Sequence, residues 1–233
     1  PSGSSHAFRN NAPPSELHSY DLPPNVNNDL PNTVRAMVEA MDTELGRLIA
    51  AIPQPVLDDT LIVFVGDNGT SREGTITPFN PDHAKGTVYE GGVNVPLIMV
   101  GPGIPVNDKC KGIASTTDLF ATICEVMGIP QTTATDSTSL VPYFSDPNQP
   151  NIQPYVYTEW FDPNGFGLKT TWNRAIRDWR FKLIQRFDQT VDPFNPYESE
   201  FYDLNNDPFE QFPLNYPPLP PLHEIGYLQL HQD

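Results

Sequence analysis

One unbroken run of apolar and β-branched residues, Thr60 to Val65 (TLIVFV), leads directly into Gly66-Asp67-Asn68-Gly69. A run without polar alternation fits a strand buried on both faces, the type found in parallel sheets covered by helices. A second run, Pro96 to Val100 (PLIMV), ends in Gly101-Pro102-Gly103. Ahead of the first, Val34, Met37, Val38, Met41, Leu45, Leu48, Ile49 and Ile52 recur at three-to-four spacing. They predict an amphipathic helix with Asn32 as N-cap and Pro53 as its stop. After the second run, a helix is expected over Asp118–Met127, capped by Thr117 and closed by Gly128. Helix, strand, strand and helix specify an α/β layer: one flank of a mostly parallel sheet flanked by helices.

Beyond Pro130 the pattern changes. A loop to about residue 154 precedes four short strand-like pieces, Tyr155–Trp160, Trp172–Arg177, Phe181–Phe187 and Glu200–Leu204, which predict a small antiparallel meander. The expected division is therefore 1–150 for the α/β part and 151–233 for the small sheet, with a Pro-rich tail from Pro208. Residues 1–31, which include His6 and His18, are polar and aperiodic. They are expected to be an irregular approach segment continuing from an upstream half of the same protein.

The 13 basic against 29 acidic residues give a net charge of −16. No basic face for a phosphate backbone can be assembled from so few cations, so nucleic acid is an unexpected partner. A small anionic substrate is compatible only where a metal ion and a few placed cations reverse the field locally. No apolar run reaches the roughly 18–20 residues of a membrane-spanning helix. Cys110 and Cys124 lack a CxxC pattern or a histidine set for zinc; two unpaired thiols are expected, with a disulfide as the alternative.

The segment from Asp67 to Val95 is rich in glycine and too long for a plain connection between strands, which marks it as a functional loop. Asp67 and Asn68 offer neighbouring hard oxygen donors, suited to calcium or, less well, magnesium, at the carboxyl end of a strand. An ordinary turn uses the same residues. Lys85-Gly86-Thr87-Val88-Tyr89-Glu90-Gly91-Gly92-Val93 follows, just before the PLIMV strand.

A DNG turn, then KGTVYEGGVNVP, then an apolar strand and GPG, resembles the carboxy-terminal half of the type I sulfatases of the alkaline-phosphatase-like superfamily. The resemblance extends through SSHAFRNNAPPSELHSY, MDTELGRLI, STTDLFATICEVMGI, DSTSLVPYF, RAIRDWRFKLI and EFYDLNNDPFEQ, and covers the chain to about Phe212. It implies that Lys85 contacts the sulfate, that Asp67 and Asn68 are two ligands of a single calcium ion, and that His6 contacts the sulfate or the leaving oxygen. A proline of the family's motif is replaced beside His6. His83, two residues before Lys85, is a further candidate for the same pocket. His18 is expected to be structural.

The family's nucleophile is a formylglycine made from C-x-P-x-R or S-x-P-x-R, and neither motif occurs here. Two further calcium carboxylates that the family draws from an earlier strand are also lacking, since Asp58-Asp59 precedes its strand. The expectation is a calcium-dependent sulfatase whose nucleophile lies in the upstream half, acting on a sulfated small molecule or glycan in a periplasmic or extracellular setting. This chain is expected to be inactive alone. The alternatives are a non-catalytic sulfatase-like binding module, and a phosphodiesterase or phosphonate hydrolase of the same superfamily. The latter is disfavoured because two-zinc members carry histidine where Asn68 stands. Trp160, Phe161, Phe166 and Trp172 are candidates to stack on a sugar or aryl ring, with core packing as the commoner fate of such residues.

Overall fold

The computed structural model describes residues 12–106, 108–130, 136–162, 170–188 and 197–214. His6 and Phe166 lie outside them. Helix α1 (Leu30–Ala50) starts earlier than its apolar pattern suggests, because Asp29 rather than Asn32 is the N-cap. The Asp29 carboxylate accepts from the Asn32 backbone N–H at 3.3 Å and from its side-chain amide at 2.8 Å. Pro31 is tolerated there because first-turn N–H groups have no intrahelical partner. A one-turn helix, α2 (Gln54–Leu57), follows Pro53.

Strands β1 (Ile62–Val65) and β2 (Leu97–Val100) form an antiparallel pair, with Ile62 opposite Val100 and Val65 opposite Leu97. The parallel arrangement suggested by the two apolar runs is not the one this pair adopts. A continuous apolar run reports burial, whereas strand direction depends on the connection. Residues 66–96 bring the chain back to the end it left, and antiparallel pairing follows. Nor is β1 buried on both faces within this chain. Ile62, Val63 and Phe64 are half-buried and Val65 is exposed, while Ile98 and Val100 on β2 are 54% and 56% exposed.

The long helix shows the same feature. Its covered side consists of Thr33, Ala36 and Ala40, against the short 3-10 turns Ser15–Leu17, Val26–Asn28 and Arg72–Gly74. Met37, Val38, Met41 and Leu48, part of the predicted apolar stripe, stand 38% to 61% exposed. Helix α3 (Glu90–Val93) is one turn long, and α4 (Asp118–Val126) carries exposed Phe120, Ile123 and Val126. Thr117 is the N-cap residue of α4, as expected, but its side chain makes no capping hydrogen bond. The N-terminal turn is tied by Asp118, whose buried carboxylate accepts from Ser115 N at 2.6 Å, Thr138 N at 2.9 Å and Gln153 Nε2 at 2.6 Å. Cys110 and Cys124 are both free.

After a short helix, α5 (Pro142–Ser145), strands β3 (Val156–Asp162), β4 (Thr171–Arg177), β5 (Phe181–Asp188) and β6 (Tyr197–Asp203) form the expected meander in sequential antiparallel order. Two-residue periodicity gives the sheet two distinct faces. Phe181, Leu183 and Phe201 pack on one, with Ile176 and Leu214. The other presents Ala175, Ile184, Tyr202 and Leu204, which bury Val88 and Tyr89 of the long connection. Fully burying a valine or larger side chain contributes about 1.5–3 kcal/mol. The small sheet is thus the floor on which the functional loop rests. Trp172 stacks on Phe187 at 5.3 Å and lies under the Arg174 guanidinium, so this ring is engaged within the sheet.

Candidate functional site

The connection between β1 and β2 closes at a neck, where Gly66 N donates to Pro96 O at 2.9 Å. Past the neck its two sides stay joined. Gly69 N donates to Gly92 O at 2.9 Å, and Lys85 N donates to Thr70 O at 2.9 Å. Asp67 and Asn68 therefore sit in a turn at the carboxyl end of β1, linked through the main chain to the loop carrying Lys85. Contact this close requires glycine: a Cβ at Gly69 would stand 1.9 Å from Gly91 O, and one at Gly91 would stand 2.5 Å from His83 O.

The side chains of Asp67 and Lys85 are exposed and that of Asn68 is half-buried. Among the described residues no group of three or more His, Cys, Asp or Glu side chains forms a metal cluster. Asp67 and Asn68 are adjacent oxygen donors, the donor type a hard cation takes. A complete calcium shell of six to eight oxygens needs further ligands.

His83 has a different setting. It lies at the end of the 3-10 turn Pro81–His83, with its ring stacked on Tyr89 at 3.5 Å and an interplanar angle of 5°. Burial, followed by the charge of Arg186, holds its pKa below the ordinary 6.5, with Asp82 opposing. Its Nδ1 is buried and has no hydrogen-bond partner among the described residues. Neutral imidazole is therefore the favoured form. His18 is engaged locally, with Nε2 3.3 Å from Pro13 O and Nδ1 accepting from Tyr20 N at 3.2 Å.

The sequence reading missed a group of buried charges behind the loop. Glu90, the first residue of α3, is in ion-pair contact with Lys182 Nζ at 2.9 Å and Arg177 Nη1 at 2.6 Å, and it also accepts from Asn94 Nδ2 at 3.0 Å. Lys182 Nζ lies 2.9 Å from Glu210 Oε1 as well. Burial alone would push the Glu90 carboxyl up, but Lys182 and Arg177 hold it below the usual carboxylate range. Glu210 goes the other way: burial raises it, and Lys182 only partly compensates. One signal was available in Phe181-Lys182-Leu183-Ile184, a lysine inside an apolar strand, which needs a buried counter-charge.

Comparison with known proteins defines the class. The Sulfatase family profile matches residues 2–129, and the profile described as N-sulphoglucosamine sulphohydrolase, C-terminal, matches residues 82–216. The chain belongs to the sulfatase family. Dog arylsulfatase K is 28% identical over 171 residues, covering 68% of this chain and 31% of that protein. A sulfatase from Formosa agariphila is 26% identical over 194 residues, covering 74% of this chain and 33% of its own length. The chain thus spans about a third of the curated relatives it matches.

Solved structures agree on the fold. BT4656, solved in complex with D-glucosamine-2-N,6-O-disulfate, superposes with a TM-score of 0.66 at 22% identity, covering 84% of this chain and 38% of that one. The phosphonate monoester hydrolase of Agrobacterium radiobacter gives 0.63 at 27% identity, covering 86% and 40%.

Proposed function

We propose that this chain is the part of a sulfate-ester hydrolase that supplies the sulfate-binding lysine and two of the metal ligands. Its nucleophile, a formylglycine, and the remaining metal carboxylates come from residues of the same protein outside these 233. The observation that carries the proposal is the closed neck, through which the main chain joins the Asp67-Asn68 turn to the Lys85 loop. Exposed apolar residues on α1, β2 and α4 support it, because such surfaces on a folded chain mark a missing packing partner.

Cleavage of a sulfate ester builds negative charge on the sulfuryl oxygens and on the departing oxygen. The Lys85 ammonium offsets the first, as a point charge directed at the sulfate. Asp67 and Asn68 would hold calcium, with magnesium less suited, and that ion supplies Lewis-acid charge neutralisation at the same group. His6 binds an oxygen or donates the proton taken up by the leaving group, a contribution of about 10²–10⁴ in rate. His83, neutral and stacked on Tyr89, stands two residues before Lys85 and is assigned to the same pocket. The substrate class is a sulfated small molecule or glycan, in line with the sulfated glucosamine bound to BT4656. A periplasmic or extracellular setting accompanies it.

The test is turnover of an aryl sulfate by the full-length protein co-expressed with a formylglycine-generating enzyme. Activity is expected there and none from residues 1–233 alone, with Lys85→Ala lowering kcat/KM by about 10²–10³. Hydrolysis by the isolated 233 residues would refute the location of the nucleophile. Full activity in Lys85→Ala would refute the site. The likeness to a phosphonate monoester hydrolase favours one second reading, which wins if the protein prefers an aryl phosphonate to an aryl sulfate. Binding of a sulfated glycan without turnover of either ester would identify a non-catalytic module.

A further inference from the structure

Two consecutive residues of the functional loop, Tyr89 and Glu90, are held by the same face of the small sheet. The register explains how. Alternation along β5 puts Lys182, Ile184 and Arg186 on that face, and pairing sets Arg177 opposite Lys182, Glu200 opposite Ile184 and Tyr202 opposite Lys182. Tyr89 OH donates to Glu200 Oε2 at 2.6 Å; Tyr202 OH donates to the same oxygen at 2.7 Å, and Arg186 pairs with Glu200. The Glu90 carboxylate takes Lys182 and Arg177.

The third contact comes from much farther along the chain. Glu210 Oε2 accepts from the Glu90 backbone N–H at 2.5 Å across 120 residues of sequence. Its other oxygen meets Lys182, and its backbone is in the left-handed region at φ 52°. A non-glycine residue rarely adopts that conformation unless its surroundings require it. Two glutamates, one lysine and one arginine balance in charge, with Lys182 and Glu210 each 1% exposed.

We infer that Lys182 and Glu210 are positioning residues for the Lys85 loop, acting through Glu90. The transmission is steric. Gly91 and Gly92, directly after Glu90, are in contact with the backbone of His83, Ala84 and Thr87, and Gly69 abuts Gly91. A shift of Glu90 therefore moves the segment carrying His83 and Lys85 and, through Gly69, the Asp67-Asn68 turn. This inference rests on the proposed role of Lys85 in holding the sulfate.

Two measurements on the full-length protein test it. Amide hydrogen exchange in Glu210→Gln and Glu210→Ala is expected to accelerate at residues 83–92 while β4 and β5 keep the wild-type rates. Kinetics with an aryl sulfate are expected to show kcat/KM lowered about tenfold to a hundredfold in Glu210→Ala. Glu210→Gln, which keeps an acceptor for the Glu90 N–H, should fall between Glu210→Ala and wild type. Acceleration spread over β4 and β5 as well would make Glu210 merely structural and overturn the inference. So would exchange at 83–92 within twofold of wild type in both variants. If Glu210→Ala does not fold, Glu210→Gln decides by the same criterion. Wild-type protein that hydrolyses no sulfate ester refutes the functional reading instead, and the exchange result then decides the positioning alone.

Discussion

Replacing Gly69 by alanine tests whether the two sides of the long connection depend on one another. The new methyl would stand 1.9 Å from Gly91 O and 2.8 Å from both Gly91 C and Gly92 Cα. All are main-chain atoms, which cannot rotate aside like the end of a side chain. Ordinary contact begins near 3.4 Å, so the strands of the loop must part by about 1.5 Å. That opening breaks the 2.9 Å hydrogen bond from Gly69 N to Gly92 O. Overpacking costs about 1–3 kcal/mol and the lost bond about 1 kcal/mol more, so destabilisation of about 2–4 kcal/mol is expected. A displacement of this size next to Asp67 and Asn68 should lower kcat/KM about 10²-fold. The assay is urea denaturation followed by fluorescence, with aryl sulfate kinetics on the same full-length preparation. Gly46→Ala is the control, since a Cβ there meets nothing within 4 Å in the middle of α1. It should stabilise by about 0.5–1 kcal/mol. Equal stability and activity in Gly69→Ala and wild type would refute the close packing of the loop.

Other perturbations probe separate parts of the structure. Asp118→Ala leaves two backbone N–H groups and the Gln153 amide without their acceptor, and about 2–4 kcal/mol should be lost in urea denaturation. Lys182→Met leaves two buried carboxylates without their shared cation. A loss of about 3–5 kcal/mol is expected, and adding Glu210→Gln should restore part of it in a double-mutant cycle. His83 resists protonation in the folded protein, whereas in the unfolded chain it titrates near 6.5. Its contribution to stability is therefore fully present above that value and lost as pH falls through the depressed folded value. Urea midpoints measured from about pH 8 to pH 5 should fall less steeply in His83→Phe, which keeps the ring stack on Tyr89.

The sequence made the elements legible more readily than their burial. The meander was readable because short runs rich in aromatic and β-branched residues are separated by turn-forming stretches. The β1 and β2 runs were equally plain as strands. Their direction was not, because TLIVFV and PLIMV state how apolar the surroundings are and nothing about how the chain returns. For α1 the apolar stripe was correctly periodic, yet within this chain the covered positions are the small ones, Thr33, Ala36 and Ala40. Helix-stripe periodicity cannot say which partner a face awaits. Asp67, Asn68 and Lys85 stood out because they flank glycine-rich turns. Their linkage through Gly66–Pro96, Gly69–Gly92 and Lys85–Thr70 depends on backbone pairing, which no residue type signals. The buried charges were the least visible. Glu90, Lys182 and Glu210 are dispersed along the sequence, and only Lys182, inside an apolar strand, carries a local sign of burial.

That dispersal also bears on how the protein is made. A ribosome releases residue 90 long before residue 210, so while the next 120 residues are made the Glu90 N–H lacks its acceptor, and Lys182, once made, lacks one of its two counter-ions. The loop carrying Lys85 can be fully seated only after translation has passed Glu210. A premature stop codon upstream of Glu210 would therefore damage the neighbourhood of Lys85 even though every residue of that loop had been synthesised.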